Sequence, residues 1–492
     1  MRELLKAYSK TGLGSLASLC LGAVATKVIA VVLGPSGIGL FSLLRQTQQT
    51  AVAVGSINGQ TALVQGLASR DGEQQGDFLV TVFWILMAAC GITCAAFVLF
   101  PREVAHWVTG QHDEATVAVF RWLALPVLLA VVGSFLAGVL NAHRAIGRLA
   151  LVQVASAMTM ALVAYPFSRL VRSGNPVGFI WLLSASAGAA LLLALTYASR
   201  ERWLSPLIDG LRRRFKADSA RHFLSMGITM FITGLVGTGT QLVVRSLVNR
   251  RSGLPGAGVF DVAWTLSMMY VTLVLGSFGT YYLPTLSRTS GTAARAALIQ
   301  SVLRFSIFLM VPLVVSVVVL KPLVVSVLYS DEFAPSLSII RWMLIGDYFK
   351  AISWVLAMPM VAYADMRTFF WSEMLWNGGL IGFAGLAVSA TGGISLIGVG
   401  FLVLYVGYLA FTVCYTARRH GFLPGVSTTL PWALGLSVVV AASLHTWNDQ
   451  HVRPPVAILW IGLAVAFSLS TLSRGERTEL VSLFQRGGPR VG

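Results

Sequence analysis

Nine ionisable residues stand inside long apolar stretches of this chain: Lys27, Arg45, Arg245, Asp261, Arg304, Arg341, Asp347, Lys350 and Glu373. In hydrocarbon each costs about 2.5–3.5 kcal/mol even on a lenient insertion scale, so each must face a wet cavity or a partner. Arg45 is the most informative. It sits about nine residues into its apolar run, roughly 13 Å deep at 1.5 Å per residue. Gln46, Thr47, Gln48, Gln49 and Thr50 follow it directly, with Asn58 and Gln60 beyond. Such a helix cannot face lipid all round, and its composition predicts a cavity wall that holds anions and hydroxyl groups. Lys27 and Arg245 lie toward the outer ends of their runs, and Gln241 precedes Arg245 by one helical turn. Asp347 and Lys350, three apart, share a helix face, and their spacing predicts an ion pair. A carboxylate in a membrane can carry a proton, or bind sodium among carbonyl oxygens. Asp347, Glu373 and Asp261 are therefore the candidates for ion coupling or gating. Lys27, Arg45, Gln46, Gln48, Gln49, Gln241, Arg245 and Lys350 are the candidates for holding a substrate. The cations are in slight excess, which suits an anionic substrate, and phosphate is the group that Arg and Lys recognise best.

The elements that must position these residues follow from composition. The chain has 492 residues, 56% hydrophobic and 11% charged, with a mean hydropathy of +0.77. A soluble domain carries about 25% charged residues. A soluble enzyme, a disordered chain and a secreted disulfide scaffold are thus excluded. Fourteen runs are long enough to span a bilayer at about 20 residues each: 12–33, 36–62, 79–100, 116–141, 147–167, 176–198, 222–246, 257–284, 297–320, 336–362, 368–390, 394–416, 430–446 and 455–472. The expected fold is an all-α polytopic membrane protein of about 14 transmembrane helices. The longest connection, 199–221, leaves no room for a soluble domain, so function must reside among the helices. Cys20, Cys90, Cys94 and Cys414 all lie in apolar runs and read as packing residues. The seven histidines lie in loops or at run ends without metal-ligand spacing, so no metal site is expected. No GxxxxGK[ST] loop is present to take a nucleotide, and no loop carries a catalytic constellation, so the chain does not read as an enzyme.

The net charge of +17 could suggest nucleic acid, but its distribution points to a membrane surface instead. With the N-terminus inside and fourteen alternating spans, inside segments carry 22 Lys and Arg and outside segments eight, as the positive-inside rule requires. Both termini are then cytoplasmic. The stretch Arg212-Arg213-Arg214-Phe215-Lys216 reads as a topogenic anchor near anionic lipid. Residues 1–25 mimic a signal peptide, ending in Ala23-Val24-Ala25, but removing them would break the even span count and the charge bias.

A short pattern recurs. Lys27, a Gly/Pro turn and Gly37-Ile38-Gly39-Leu40-Phe41 are echoed by Arg245, a Gly/Pro turn and Gly256-Ala257-Gly258-Val259-Phe260. Repeats of this kind typify transporters, with the substrate site between the halves. Matching spans 1–6 with 7–12 keeps both halves in one orientation, the parallel type of repeat. The expected divisions are 1–210, 211–420, and an extension at 421–492 that holds the last two spans and a basic tail.

On four patches the chain resembles the Wzx-type flippases for lipid-linked oligosaccharides, of the O-antigen and enterobacterial common antigen branch, within the multidrug/oligosaccharidyl-lipid/polysaccharide (MOP) exporter superfamily. The patches are Lys27 through Arg45-Gln46 with the turn Gly34-Pro35-Ser36-Gly37-Ile38-Gly39-Leu40; Arg245; Leu283-Pro284-Thr285-Leu286-Ser287-Arg288; and Gly346-Asp347 with Lys350, then Arg367 and Glu373. The resemblance implies two six-helix lobes working by alternating access in a bacterial inner membrane. It implies an undecaprenyl-pyrophosphate-linked glycan as cargo, coupling to a proton or sodium gradient, and no other cofactor. Membrane lipid, a polysaccharide polymerase and chain-length machinery are the expected partners, and nucleic acid is not. The two extra spans depart from that branch and keep a lipid II flippase as an alternative. A cation-coupled multidrug exporter and a membrane glycosyltransferase are weaker ones.

Overall fold

The computed structural model describes residues 2–70, 72–111, 113–210, 215–389 and 393–471. His112, the basic tail from Arg474 and the three arginines of the expected anchor, Arg212 to Arg214, lie outside the described residues. The described residues form sixteen α-helices and no strand: α1 (Arg2–Gly55), α2 (Gln60–Ala68), α3 (Gly72–Leu99), α4 (Pro101–Thr109), α5 (Glu114–Trp122), α6 (Ala124–Ala142), α7 (Ile146–Arg172), α8 (Gly178–Arg200), α9 (Ser205–Gly210), α10 (Ala217–Arg288), α11 (Thr292–Leu328), α12 (Leu337–Ala362), α13 (Met366–Ser389), α14 (Ser395–His420), α15 (Val426–His445) and α16 (Pro454–Thr471). Among the described residues, eleven helical stretches are long and apolar enough to cross a membrane. Two of them, in α1 and α10, each hold two crossings. Adding α13, which carries Arg367 and Glu373, gives the fourteen expected spans.

The kinks in α1 and α10 have one cause. Gly34 and Gly253 adopt φ of 63° and 65°, a left-handed conformation that side chains disfavour. Pro35 and Pro255 follow within two residues and lack the N–H that would continue the ladder. Each apolar run is thereby broken into two crossing helices at the same place in the repeat. Three features are not legible in the sequence. The loop after span 3 is helical, as α4, span 4 is broken into α5 and α6, and the connection at 199–221 contains α9.

By packing, the chain groups into two units: residues 1–261 with 327–332, and 262–326 with 333–492. This is a grouping by contact, whereas the divisions expected at 210 and 420 are of like sequence. In the first unit an apolar core joins α2, α3, α6 and α8 through Leu63, Phe78, Leu136, Val139 and Ala194, with Phe223 of α10 added.

The repeated G-x-G pattern is an interlock inside this first unit. A Cβ on Gly39 would lie 1.9 Å from the Leu254 carbonyl oxygen, and one on Gly258 would lie 2.1 Å from that of Pro35. These are one contact made twice, because Gly39 and Gly258, and Pro35 and Leu254, occupy matching repeat positions. The segments around Gly39 and Gly258 therefore touch backbone to backbone, as small residues allow in membranes. Arg45 and Asp261 follow these glycines along the two arms, so the interlock sets their separation. Gly39→Val should lower the unfolding midpoint of the purified protein by the equivalent of about 1–3 kcal/mol, the range for forced overpacking. Gly22→Ala, at a position with nothing within 4 Å, should leave it unmoved. Equal midpoints for both variants would disprove the interlock.

Candidate functional site

The first unit gathers two of the predicted cations around one carboxylate. Arg245 is 3% exposed and Asp261 5%. Arg245 donates from Nε and Nη2 to Asp261 Oδ1 at 3.1 and 2.8 Å, and from Nη1 to Gln241 Oε1 at 2.9 Å. Arg45 reaches the other oxygen, Asp261 Oδ2, at 3.8 Å from Nη2, with 32% of its side chain exposed. It also lies over the Phe41 ring at 5.6 Å, a cation–π contact. Two guanidinium groups sharing one carboxylate leave a positive charge in excess. The donors of Arg245 are largely occupied, while those of Arg45 are the ones turned toward accessible space. Asp261, expected as an ion-coupling carboxylate, is thus the counter-ion that holds the arginines together.

The glutamines divide. Gln46 is buried and donates to the Thr238 carbonyl at 3.0 Å, and Thr50 donates to the same oxygen at 3.2 Å. Gln48 donates to the Pro126 carbonyl at 3.1 Å, which engages one of its amide hydrogens in helix packing. Gln49 is exposed, and Gln241 orients Arg245. Lys27 does not join the arginine cluster. Its ammonium donates to the Tyr329 carbonyl, in the 327–332 segment of the same unit. Near the kink of α10, Ser246, Asn249 and Arg250 donate to the last carbonyls of α4, at Trp107 and Thr109, over 2.8–3.0 Å. These bonds satisfy carbonyls that a helix C-terminus leaves open.

The second unit holds Asp347, Lys350 and Glu373, and here the expected ion pair is one of charge attraction without a direct salt bridge. Asp347 is fully buried. Ser267 Oγ lies 2.8 and 2.9 Å from its two oxygens, and Tyr270 donates to Oδ2 at 2.7 Å. Lys350 turns away: its Nζ lies 3.1 Å from the Met268 sulfur and 5.8 and 5.6 Å from the ring centres of Phe401 and Tyr405. Among the described residues, hydroxyls hold the carboxylate and aromatic faces hold the ammonium. Sharing a helix face brings the pair close, but α10 and α14 offer each a better-aligned partner. Glu373 is half-buried on α13, and its carbonyl accepts from Asn377 at 2.8 Å. Arg341 lies over the Trp447 ring at 4.6 Å, and Arg304 donates to the Thr471 carbonyl at 3.3 Å. Ser267, Tyr270 and the aromatic residues are not legible as site residues in the sequence. Phe401, Tyr405 and Tyr408 recur at helical spacing on one face of α14, and Phe401 and Tyr405 are buried there.

Residues 28–338, more than half of the chain, match the family described as polysaccharide biosynthesis protein. The chain is 23% identical over 421 residues to the lipid III flippase of Escherichia coli (strain K12), covering 84% of this chain and 97% of that protein. Its fold is similar to that of the lipid II flippase MurJ in an inward closed conformation, at a TM-score of 0.69 and 14% identity over 97% of this chain and 100% of the other. It is also similar to an inward-facing multidrug resistance MATE family transporter of the MOP superfamily, at a TM-score of 0.67 and 13% identity over 82% and 94%. A multi-pass membrane protein with the fold of the MOP superfamily, this chain belongs to the polysaccharide biosynthesis protein family.

Proposed function

We propose that the protein flips an undecaprenyl-pyrophosphate-linked oligosaccharide from the cytoplasmic to the periplasmic leaflet of a bacterial inner membrane, for surface polysaccharide assembly. The observation that carries this reading is the Arg45–Asp261–Arg245 cluster. It places an excess positive charge and a partly accessible guanidinium inside a membrane helix bundle, where a diphosphate would find charge-assisted bonds. The family match and the likeness to a lipid III flippase support a lipid-linked glycan precursor as the cargo. In this reading both termini are cytoplasmic, and Arg45 takes the diphosphate, with Arg245 holding it in place. Asp347, clamped by hydroxyls, responds to a proton or sodium and biases the two states of alternating access. A polymerase receives the product on the far side.

The direct test is a deletion strain analysed for lipid-linked intermediates and surface glycan. Stalled undecaprenyl-pyrophosphate oligosaccharide with the glycan lost supports the reading, and mass spectrometry of the stalled lipid names the sugars, whether an O-antigen or common-antigen unit. Rescue of a cell depleted of its lipid II flippase would assign lipid II instead. Arg45→Ala should abolish complementation while the protein remains in the membrane. Arg45→Lys, which keeps the charge and loses the planar fork, should restore it only in part. Full glycan in the alanine variant would remove Arg45 from the binding role.

A further inference from the structure

The positive-inside orientation assigns one end of the second unit to the cytoplasm, and the arginines there lack counter-ions. Arg288 ends α10, Arg295 lies in the first turn of α11, Arg367 is near the start of α13, and Arg418 and Arg419 are near the end of α14. Among the described residues none of the five makes an ion pair. Four are exposed and Arg295 is half-buried. Asp365, the carboxylate between α12 and α13, is engaged by neutral donors instead: the Thr368 N–H at 3.3 Å and the Tyr415 hydroxyl at 3.1 Å.

Aromatic rings draw these groups together. The Arg295 guanidinium lies over the Tyr363 ring at 4.5 Å, and its Nε donates to the Thr289 carbonyl at 3.0 Å. Tyr363 meets His420 at 5.1 Å, and His420 meets Tyr415 at 5.4 Å. Arg295 and Arg419 both lie within electrostatic reach of His420. His420 Nε2 has no hydrogen-bond partner among the described residues, so stacking holds the ring. Just beyond α14, Leu423 and Val426 are 65% and 76% exposed, an apolar surface next to the arginines in the chain.

The first unit treats its corresponding end differently. Its α6–α7 turn repeats the α12–α13 turn: Arg144 and Ala364 both have φ of 55°. The next N–H reaches back five residues in each, from Ala145 to Leu140 and from Asp365 to Met360. In the first unit Trp203 stacks on His143 at 4.5 Å, and carboxylates pair the nearby cations, Arg148 with Glu201 and Lys216 with Asp77, each at 2.5 Å. In the second unit the turn meets a histidine and unpaired arginines.

We propose that this end of the second unit is a binding site for a resident anionic phospholipid of the inner leaflet. Arg295 and Arg419 hold its phosphodiester, His420 lies beside it, and its acyl chains cover Leu423 and Val426. Guanidinium groups are the natural partners of phosphate, and basic sites at the cytoplasmic ends of membrane helices bind anionic headgroups. A free phosphate ion finds the same charges but leaves the apolar flank uncovered. The site shares no residue with the Arg45–Asp261–Arg245 cluster and does not depend on what the protein transports.

The test titrates the purified full-length protein, in a neutral detergent, with dioctanoyl phosphatidylglycerol and dioctanoyl phosphatidylcholine. The unfolding midpoint reports binding. Phosphatidylglycerol should raise it and phosphatidylcholine should not. Arg419→Gln should leave the lipid-free midpoint unmoved and weaken phosphatidylglycerol about tenfold, as loss of a charge-assisted hydrogen bond does. Arg295→Lys keeps the charge, loses the planar fork and should weaken it less. Arg172→Gln, at an exposed arginine ending α7 on the opposite face, should change nothing. Equal stabilisation by both lipids would overturn the proposal, as would unchanged affinity in Arg419→Gln or an equal loss in Arg172→Gln. Displacement of phosphatidylglycerol by millimolar inorganic phosphate would show a free-ion site and overturn it too. So would tighter binding of undecaprenyl diphosphate than of phosphatidylglycerol, lost in Arg419→Gln, which would give the site to the cargo.

Discussion

Asp261→Asn should abolish transport and strongly destabilise the protein, because it leaves Arg245 charged and buried without a counter-ion. The two contacts that Asp261 makes are unequal. Arg245 is 3% exposed and donates twice to Oδ1, at 3.1 and 2.8 Å. Breaking such a buried pair by removing one partner costs about 3–5 kcal/mol. Arg45, with 32% of its side chain exposed and 3.8 Å away, is partly screened and contributes at most about 1 kcal/mol to stability. The stability loss therefore belongs to Arg245, and the functional loss to the pair. A second variant separates them. Arg245→Gln with Asp261→Asn removes both charges, which for a buried pair is close to neutral, so the unfolding midpoint should recover while transport stays lost. An unchanged midpoint in the single variant would show that the arginine pair is not held by Asp261. Recovery of transport in the double variant would show that the cluster is structural.

Part of this arrangement is legible in the sequence alone. The apolar runs predict fourteen crossings, and α13 is the least apolar of them, because Arg367, Glu373 and Asn377 interrupt it. Arg45 stands out because a guanidinium and three glutamines on one helix cannot face lipid. Its partner does not. Asp261 lies more than two hundred residues away, and only the Gly39–Gly258 interlock brings it near. A sequence shows that these glycines recur, not that they touch. Asp347 and Lys350 illustrate the opposite limit. Local spacing predicts an ion pair; the charges still attract, but tertiary partners from α10 and α14 take the direct contacts. The aromatic stripe of α14 is silent in the sequence because Phe and Tyr at helical spacing usually mean core.

By sequence the extension at 421–492 is an appendage to the repeat, yet the packing of α15 means that it cannot be removed cleanly. Lys321, which sequence places among the outside charges, is 1% exposed. Its ammonium donates to the Thr446 carbonyl at 2.7 Å, to Thr446 Oγ1 at 3.1 Å and to the Val318 carbonyl at 3.1 Å. Thr446 caps the C-terminus of α15, where carbonyl dipoles favour a cation. Farther along, Tyr348 donates to the Trp432 carbonyl at 3.0 Å, and a Cβ on Gly435 would lie 2.6 Å from the Tyr348 hydroxyl. Gln300 donates to Ser427 at 2.9 Å near the other end. A chain ending at residue 420 would leave the Lys321 ammonium in an apolar environment with most of its acceptors gone, at a cost on the order of 3–5 kcal/mol. That chain should fail to accumulate in the membrane. Lys321→Met removes the stranded charge and should restore part of its level. In the full-length chain the same substitution leaves the Val318 and Thr446 acceptors without this donor, so it should cost about 1–3 kcal/mol. Membrane levels and unfolding midpoints of the three chains test this. A chain ending at 420 that accumulates and melts like the full-length protein would show that α15 and α16 are dispensable to the fold.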